Sequence, residues 1–294
     1  MPAARPGPAA PRGGGTARAL GCLAVAVVLL VVAVVGVFSW LRNRGATPPV
    51  PGQQRCVASV GNASVTLDLE QAHYTSIIVG MSVRRELPPR AASIAMATVY
   101  QETGIRNLDY GDRDSVGLFQ QRPSQGWGTE KQLSDPYYAT GEFYDALVKV
   151  KGWRTGDIND VAQKVQRSGY PEAYRAHESD ARVLASTLTG ETKAGFSCLE
   201  REDAPGDARG LVSSLNKTFG KTGAKRDDKV ITIKADSASL AWAYASYAVA
   251  NSGRFGLVTA DVGGRRWQTD TFNLPAWTQA TPKTAGTAVT LTVR

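Results

Sequence analysis

The sequence predicts a mainly α domain, preceded by one N-terminal transmembrane helix and followed by a small α+β module. Three observations predict it. An uncharged apolar run extends from Leu20 to Trp40. Apolar residues recur at helical spacing between residues 68 and 190. After Pro205-Gly206-Asp207, β-branched runs alternate with helical ones.

Residues 1–18 are largely Pro, Ala, Gly and Arg, with little to bury, and read as a disordered tail. The uncharged run, taken as a span over 19–41, covers about 30 Å at 1.5 Å per residue, the thickness of a bilayer core. Arg5, Arg12 and Arg18 precede it, Arg42 and Arg44 follow it, and no acidic residue precedes Asp68. That bias, with the large folded mass behind it, favours the N-terminus inside and the C-terminus outside. A cleaved signal peptide is the rival, but its apolar core would be unusually long and no A-x-A-like site follows. Residues 42–55 carry clustered prolines and read as an extended spacer.

Residues 56–200 read as helical. Leu69, Ala72, Ile77 and Met81 mark a helix over 68–87, stopped by Pro88-Pro89. A strongly apolar helix follows over 91–103, with Gly104 as its C-terminal cap. Residues 107–127 are rich in Gly, Asp and Ser and read as loop with short strands. Asp135-Pro136 opens a helix to about Val150, and two more are expected over 158–167 and 171–188. In the module, 201–294, helices are expected over 211–219 and 239–252, and strands over 230–235, 257–262 and 288–293. Trp242, Tyr244, Tyr247 and Tyr138 could stack on sugars, although core packing accounts for such aromatics as well.

The net charge is +8, but it is unevenly spread. Residues 45–204 hold 17 basic and 20 acidic side chains, whereas 205–294 hold 12 and 6. The central domain is therefore not a basic nucleic-acid reader. The basic module could meet an anionic wall polymer, a lipid surface or a protein, or be a solvated face. Two histidines and three cysteines cannot build a typical zinc or haem site, so no metal or cofactor is expected. Outside the cell, Cys56 and Cys198 would form a disulfide around the central domain; the alternative is two unrelated thiols.

The informative stretch is residues 93–128, SIAMATVYQETGIRNLDYGDRDSVGLFQQRPSQGWG. Ala95, Thr98 and Glu102 fall on one helix face, at i, i+3 and i+7. A carboxyl at the end of a buried stripe is expected to lose solvent. Desolvation disfavours the ionised form, which suits a general acid that must hold a proton and deliver it. A glutamate pointing into solvent at a helix end is the bland alternative.

Gln101-Glu102-Thr103, followed by Ser115-Val116-Gly117-Leu118-Phe119-Gln120, resembles the E-S … G-L-M-Q signature of lytic transglycosylases and goose-type lysozymes. Gly111-Asp112-Arg113 resembles the Gly-Asp-Arg that precedes it in the goose-type enzymes. The longer run is similar to wall lysozyme domains secreted by actinobacteria. The resemblance covers about residues 68–190 and implies a lysozyme-like fold acting on peptidoglycan. It implies that Glu102 protonates the glycosidic oxygen between MurNAc and GlcNAc. Ser115 would orient Glu102 or a substrate group, and Gln120, with Gln121 and the backbone near Gly117, Leu118 and Phe119, would line the sugar cleft. Tyr174, from a late helix, would lie near the Glu102 carboxyl.

A second carboxylate decides the chemistry. An inverting hydrolase needs a general base roughly 6.5–9.5 Å from the acid. Asp112 holds a position used that way in goose-type enzymes, with Asp114 as substitute, but the other goose-type aspartate is replaced by Arg122. A lytic transglycosylase needs no second carboxylate. The family's Ala-Tyr-Asn-Ala-Gly-like run is also changed here, to Val165-Gln166-Arg167-Ser168-Gly169-Tyr170. Asp109, Asp112 and Asp114 also suit turns or a cation-binding loop. The expectation is a single-pass membrane enzyme cleaving peptidoglycan, as transglycosylase or muramidase. The alternative is a catalytically weak wall-binding or scaffold protein.

Overall fold

The computed structural model describes residues 53–169, 172–281 and 285–294. The apolar run 20–40, and with it the expected transmembrane helix, lies outside them. Among the described residues no helix is long and apolar enough to cross a membrane.

The fold class expected from the sequence is corrected: the described residues are not mainly α. Helix makes up 44% of them and strand 18%, and the strands form two antiparallel sheets. The strands expected over 230–235, 257–262 and 288–293 are present, whereas Arg55–Val60, Ala63–Leu67, Phe196–Leu199, Lys225–Asp227, Arg265–Gln268 and Thr278–Gln279 went unread: they are short, and Phe196–Leu199 meets its partner from far away in sequence. β1 (Arg55–Val60) and β2 (Ala63–Leu67) form a hairpin around Gly61-Asn62, where Gly61 takes φ +58°. Two β-prone runs separated by Gly-Asn are a hairpin signal. The outer edge of β1 is taken by β3 (Phe196–Leu199), from the far end of the same domain. In that pairing Cys56 lies opposite Cys198, and the two are disulfide-bonded.

Between these strands lies the helical part. α1 (Leu69–Arg84) starts with a capping box: Gln71 N donates to Asp68 Oδ1 at 2.9 Å and Asp68 N donates to Gln71 Oε1 at 3.0 Å. α2 (Pro89–Thr103) has proline in its first turn, where a missing N–H costs nothing, and ends at Gly104 in the left-handed region at φ +61°. Ala91 through Val99 are all buried. A helix covered on all sides is the centre of a core, not an amphipathic surface element.

α3 (Glu130–Leu133) and α4 (Pro136–Leu147) follow, and Asp135 caps α4 by accepting from Tyr137 N at 2.9 Å. α5 (Ile158–Gln166) stops where Arg167 turns left-handed. The single helix expected over 171–188 is instead a 3-10 turn (Ala173–His177) leading into α6 (Glu178–Leu188).

The C-terminal part holds α7 (Ala208–Phe219), β4 (Lys225–Asp227), β5 (Val230–Lys234), α8 (Ala238–Ala250), α9 (Ser252–Phe255), β6 (Leu257–Val262), β7 (Arg265–Gln268), β8 (Thr278–Gln279) and β9 (Ala288–Val293). Its sheet runs β4-β5-β9-β6-β7-β8. Burial alternates along β5 and β9, so one face is packed and one is wet. α8 covers the packed face. Trp242, Tyr244 and Tyr247 lie buried in this layer, with the Phe219 ring edge-on to both tyrosines; they are core residues. The helical and C-terminal parts share one hydrophobic cluster. A polar seam crosses it: Asn251 Nδ2 donates to Ser76 Oγ at 3.0 Å and Tyr247 O at 2.8 Å. The Asn251 oxygen is thereby left for His73 Nδ1, 2.6 Å away.

Candidate active site

Glu102 stands in the last turn of α2, half-buried, where the closed packing of the helix opens. Ala95 and Thr98, on the same face, are fully buried. Two groups hold the carboxylate through one oxygen. Tyr174 Oη donates to Oε1 at 2.8 Å, and Gln166 Nε2 donates to the same atom at 3.2 Å. Gln166 Nε2 also donates to Phe119 O at 2.8 Å. Three separate segments therefore meet at one acid: the end of α5, the 3-10 turn, and the loop after α2. Tyr174 is fully buried. Burial, then the Glu102 charge and the hydrogen bond to it, push the phenol's pKa well above its ordinary value. The phenol keeps its proton and acts as a fixed donor.

Local bonds build the loop that supplies Phe119. Thr103 Oγ1 donates to Leu118 O at 3.0 Å, tying it to the end of α2. Gly117 N donates to Leu108 O at 2.7 Å, and Val116 bridges to Gln121. Gly117 sits at φ +76°, and a Cβ there would strike the Leu133 carbonyl oxygen, so this position requires glycine on two counts. The Phe119 ring stacks on Phe143 of α4 with centroids 4.5 Å apart.

The residues singled out from sequence are distributed unevenly around this point. Glu102 and Tyr174 touch. Leu118 and Phe119 are fully buried, so their side chains serve packing, and Phe119 contributes through its carbonyl. Gln121 is buried and donates to Ala139 O at 3.2 Å. Gln120, in the left-handed region at φ +49°, turns back to donate to Tyr110 O at 3.1 Å and Gly117 O at 3.3 Å. Ser115 is buried, its N–H donating to Asp112 O at 3.1 Å.

The two further carboxylates differ sharply. Asp112 is 90% exposed at its side chain, with Arg113 3.9 Å away. Asp114 accepts from Arg122 Nε at 2.7 Å, from Ser124 N at 2.7 Å and from Ser124 Oγ at 3.0 Å. The Ser124 backbone N–H foremost, then the Arg122 guanidinium and the Ser124 hydroxyl, hold its carboxyl well below the usual carboxylate range. Asp114 is a loop clasp, and Arg122, at the position of an expected aspartate, is its counterpart. Among the described residues no group of three or more His, Cys, Asp or Glu side chains is placed to hold a metal.

Sequence reasoning named Gln166 within the altered third motif but gave it no role. The signal available was its position in that motif, a long amide donor near the end of the helix.

No family model matches the chain, and no curated protein is similar to it at a meaningful level.

Proposed function

We propose that this protein cleaves the glycan strands of peptidoglycan, with Glu102 as general acid. The observation that carries the reading is the half-buried Glu102 carboxyl, held at one oxygen by Tyr174 and Gln166, while among the described residues none hydrogen-bonds its other oxygen. A carboxyl gripped on one side is oriented and still free to exchange a proton with substrate. In the step proposed, Glu102 protonates the glycosidic oxygen and the C1–O bond breaks with an oxocarbenium-like transition state. The C6 hydroxyl of the same sugar then closes on C1, returning its proton to Glu102 and leaving a 1,6-anhydro end. Asp114 is already committed to Arg122 and Ser124, and this favours the single-carboxylate transglycosylase route over hydrolysis. Asp112, solvated on the same loop, is the base of the hydrolytic reading. The disulfide supports an oxidising compartment, so the site would act outside the cytoplasm. The run 20–40 would keep it at the membrane.

The test is mass spectrometry of purified peptidoglycan incubated with the full chain, beside Glu102→Gln. Anhydro-muropeptides from the wild type alone support transglycosylation, and reducing ends support hydrolysis. No product from the folded wild-type protein would sink the enzyme reading in favour of a wall-binding scaffold.

A further inference from the structure

Gln166 faces two ways. Its amide reaches Glu102, and its side chain also lines a cavity of about 620 Å³, a size usual for small-molecule sites. Trp127, Lys149, Lys164, Val165 and Arg167 line it too, and no carboxylate does. Within a central region whose acidic residues outnumber its basic ones, three cations converge on one concavity. Lys164 and Arg167 lie at the end of α5, where the helix dipole alone would favour cations. Lys149 comes from a different segment, directly past the end of α4, so the C-terminal ends of two helices contribute cations to the same concavity. Among the described residues the ion pairs are made by other cations. Asp145, the acid that senses Lys149, is bound by Arg85 at 2.7 Å. Trp127 is half-buried, with its backbone carbonyl held by Tyr138 Oη at 3.3 Å.

We infer that this cavity is a substrate subsite for a carboxylate-bearing sugar of the strand, with the ring on Trp127 and the carboxylate among Lys149, Lys164 and Arg167. The inference rests on the glycan-cleaving reading above. Cations left unpaired in a concave wall attract an anion more strongly than the same charges on a convex surface. An aromatic face beside them suits a sugar ring, apolar on one side and polar at its edge. Two sources of carboxylate are chemically equivalent here: the free lactyl group of a peptide-stripped strand and the carboxylates of a stem peptide.

The experiment is calorimetric titration of the full-length Glu102→Gln chain, in which turnover is blocked, with three tetrasaccharides. One is alternating GlcNAc–MurNAc with free lactyl acids, one is the same sugar carrying stem peptides, and one is neutral chitotetraose. At least one acidic probe should bind about tenfold tighter than chitotetraose, the sum of a few solvent-exposed ion pairs. Whichever binds tighter identifies the source. Replacing Lys149 and Lys164 together by Gln should abolish the preference, and replacing both by Arg should keep it. Trp127→Ala should weaken all three probes. Equal affinity for acidic and neutral probes, survival of the preference in the Gln double variant, or tighter binding of a poly(glycerol phosphate) chain would each overturn the assignment. The wild-type cleavage assay is separate. A charge preference without products refutes the catalytic reading and leaves a carboxylate site; products without the preference refute only the subsite.

Discussion

The neighbourhood of Glu102 and the packed face of the C-terminal sheet both bury aromatic rings and join them by hydrogen bonds, yet they differ in what those bonds leave over. Under the sheet, Trp267 Nε1 donates to Ser197 Oγ at 2.9 Å, and Ser197 Oγ donates to Pro275 O at 2.6 Å, so both donors are satisfied and the polar chain ends on a backbone carbonyl. At Glu102, Tyr174 and Gln166 converge on one oxygen and the chain ends at a carboxyl with a side to spare. A closed network stabilises, whereas an open one can do chemistry. The difference goes with burial: Trp267 is fully enclosed and Glu102 is half-exposed.

That contrast can be broken most severely at the acid. Glu102→Gln should lower glycan cleavage by about 10²–10⁴-fold, the contribution of a general acid, with the thermal unfolding midpoint unchanged. Trp267→Ala should do the opposite. It should cost about 3–5 kcal/mol of stability in denaturant titration, while cleavage per folded molecule stays near wild type.

The seam between the two regions gives a pH test. Burial foremost, opposed by the Asn251 hydrogen bond, lowers the His73 pKa from 6.5 to about 4. In that interval the unfolded chain binds a proton that the folded chain refuses. Stability from this group is therefore fully present above about pH 6.5 and is lost as pH falls towards 4. The loss should be about 2 kcal/mol for this partly buried ring. Denaturant titrations of wild type and His73→Gln across that range should show the excess slope in the wild type alone; parallel slopes would remove His73 as the cause.

The smallest effect is expected at the phenol. Tyr174→Phe keeps the ring and removes the donor, so kcat should fall about tenfold with KM little changed, the size of one charge-assisted hydrogen bond. An unchanged kcat would mean that Gln166 alone orients the acid.

Much of the helical frame was readable because its signals are local. Asp135-Pro136 at a helix start, Gly104 at a helix end and the buried run inside α2 each depend on residues within a turn or two of one another. Glu102 was readable for the same reason, through its spacing from Ala95 and Thr98. The first sheet was not, because β1 meets β3 across a loop whose cysteines are 142 residues apart, and no local period announces such a pairing. Gln121 stands in the linear motif beside Gln120, yet its side chain is buried, since a motif does not show which way each side chain points.

By itself, then, the sequence determined the helix starts and stops, the candidate acid and the uneven charge, all properties of neighbouring residues. Tertiary structure alone decided that Gln166 and Tyr174 close on one oxygen of Glu102, and that Asp114 is consumed by Arg122 and Ser124. It also decided that Lys149 joins Lys164 and Arg167 around one cavity. Each of these depends on segments brought together only when the core packs, and the hydrophobic effect that drives packing carries no direction of its own.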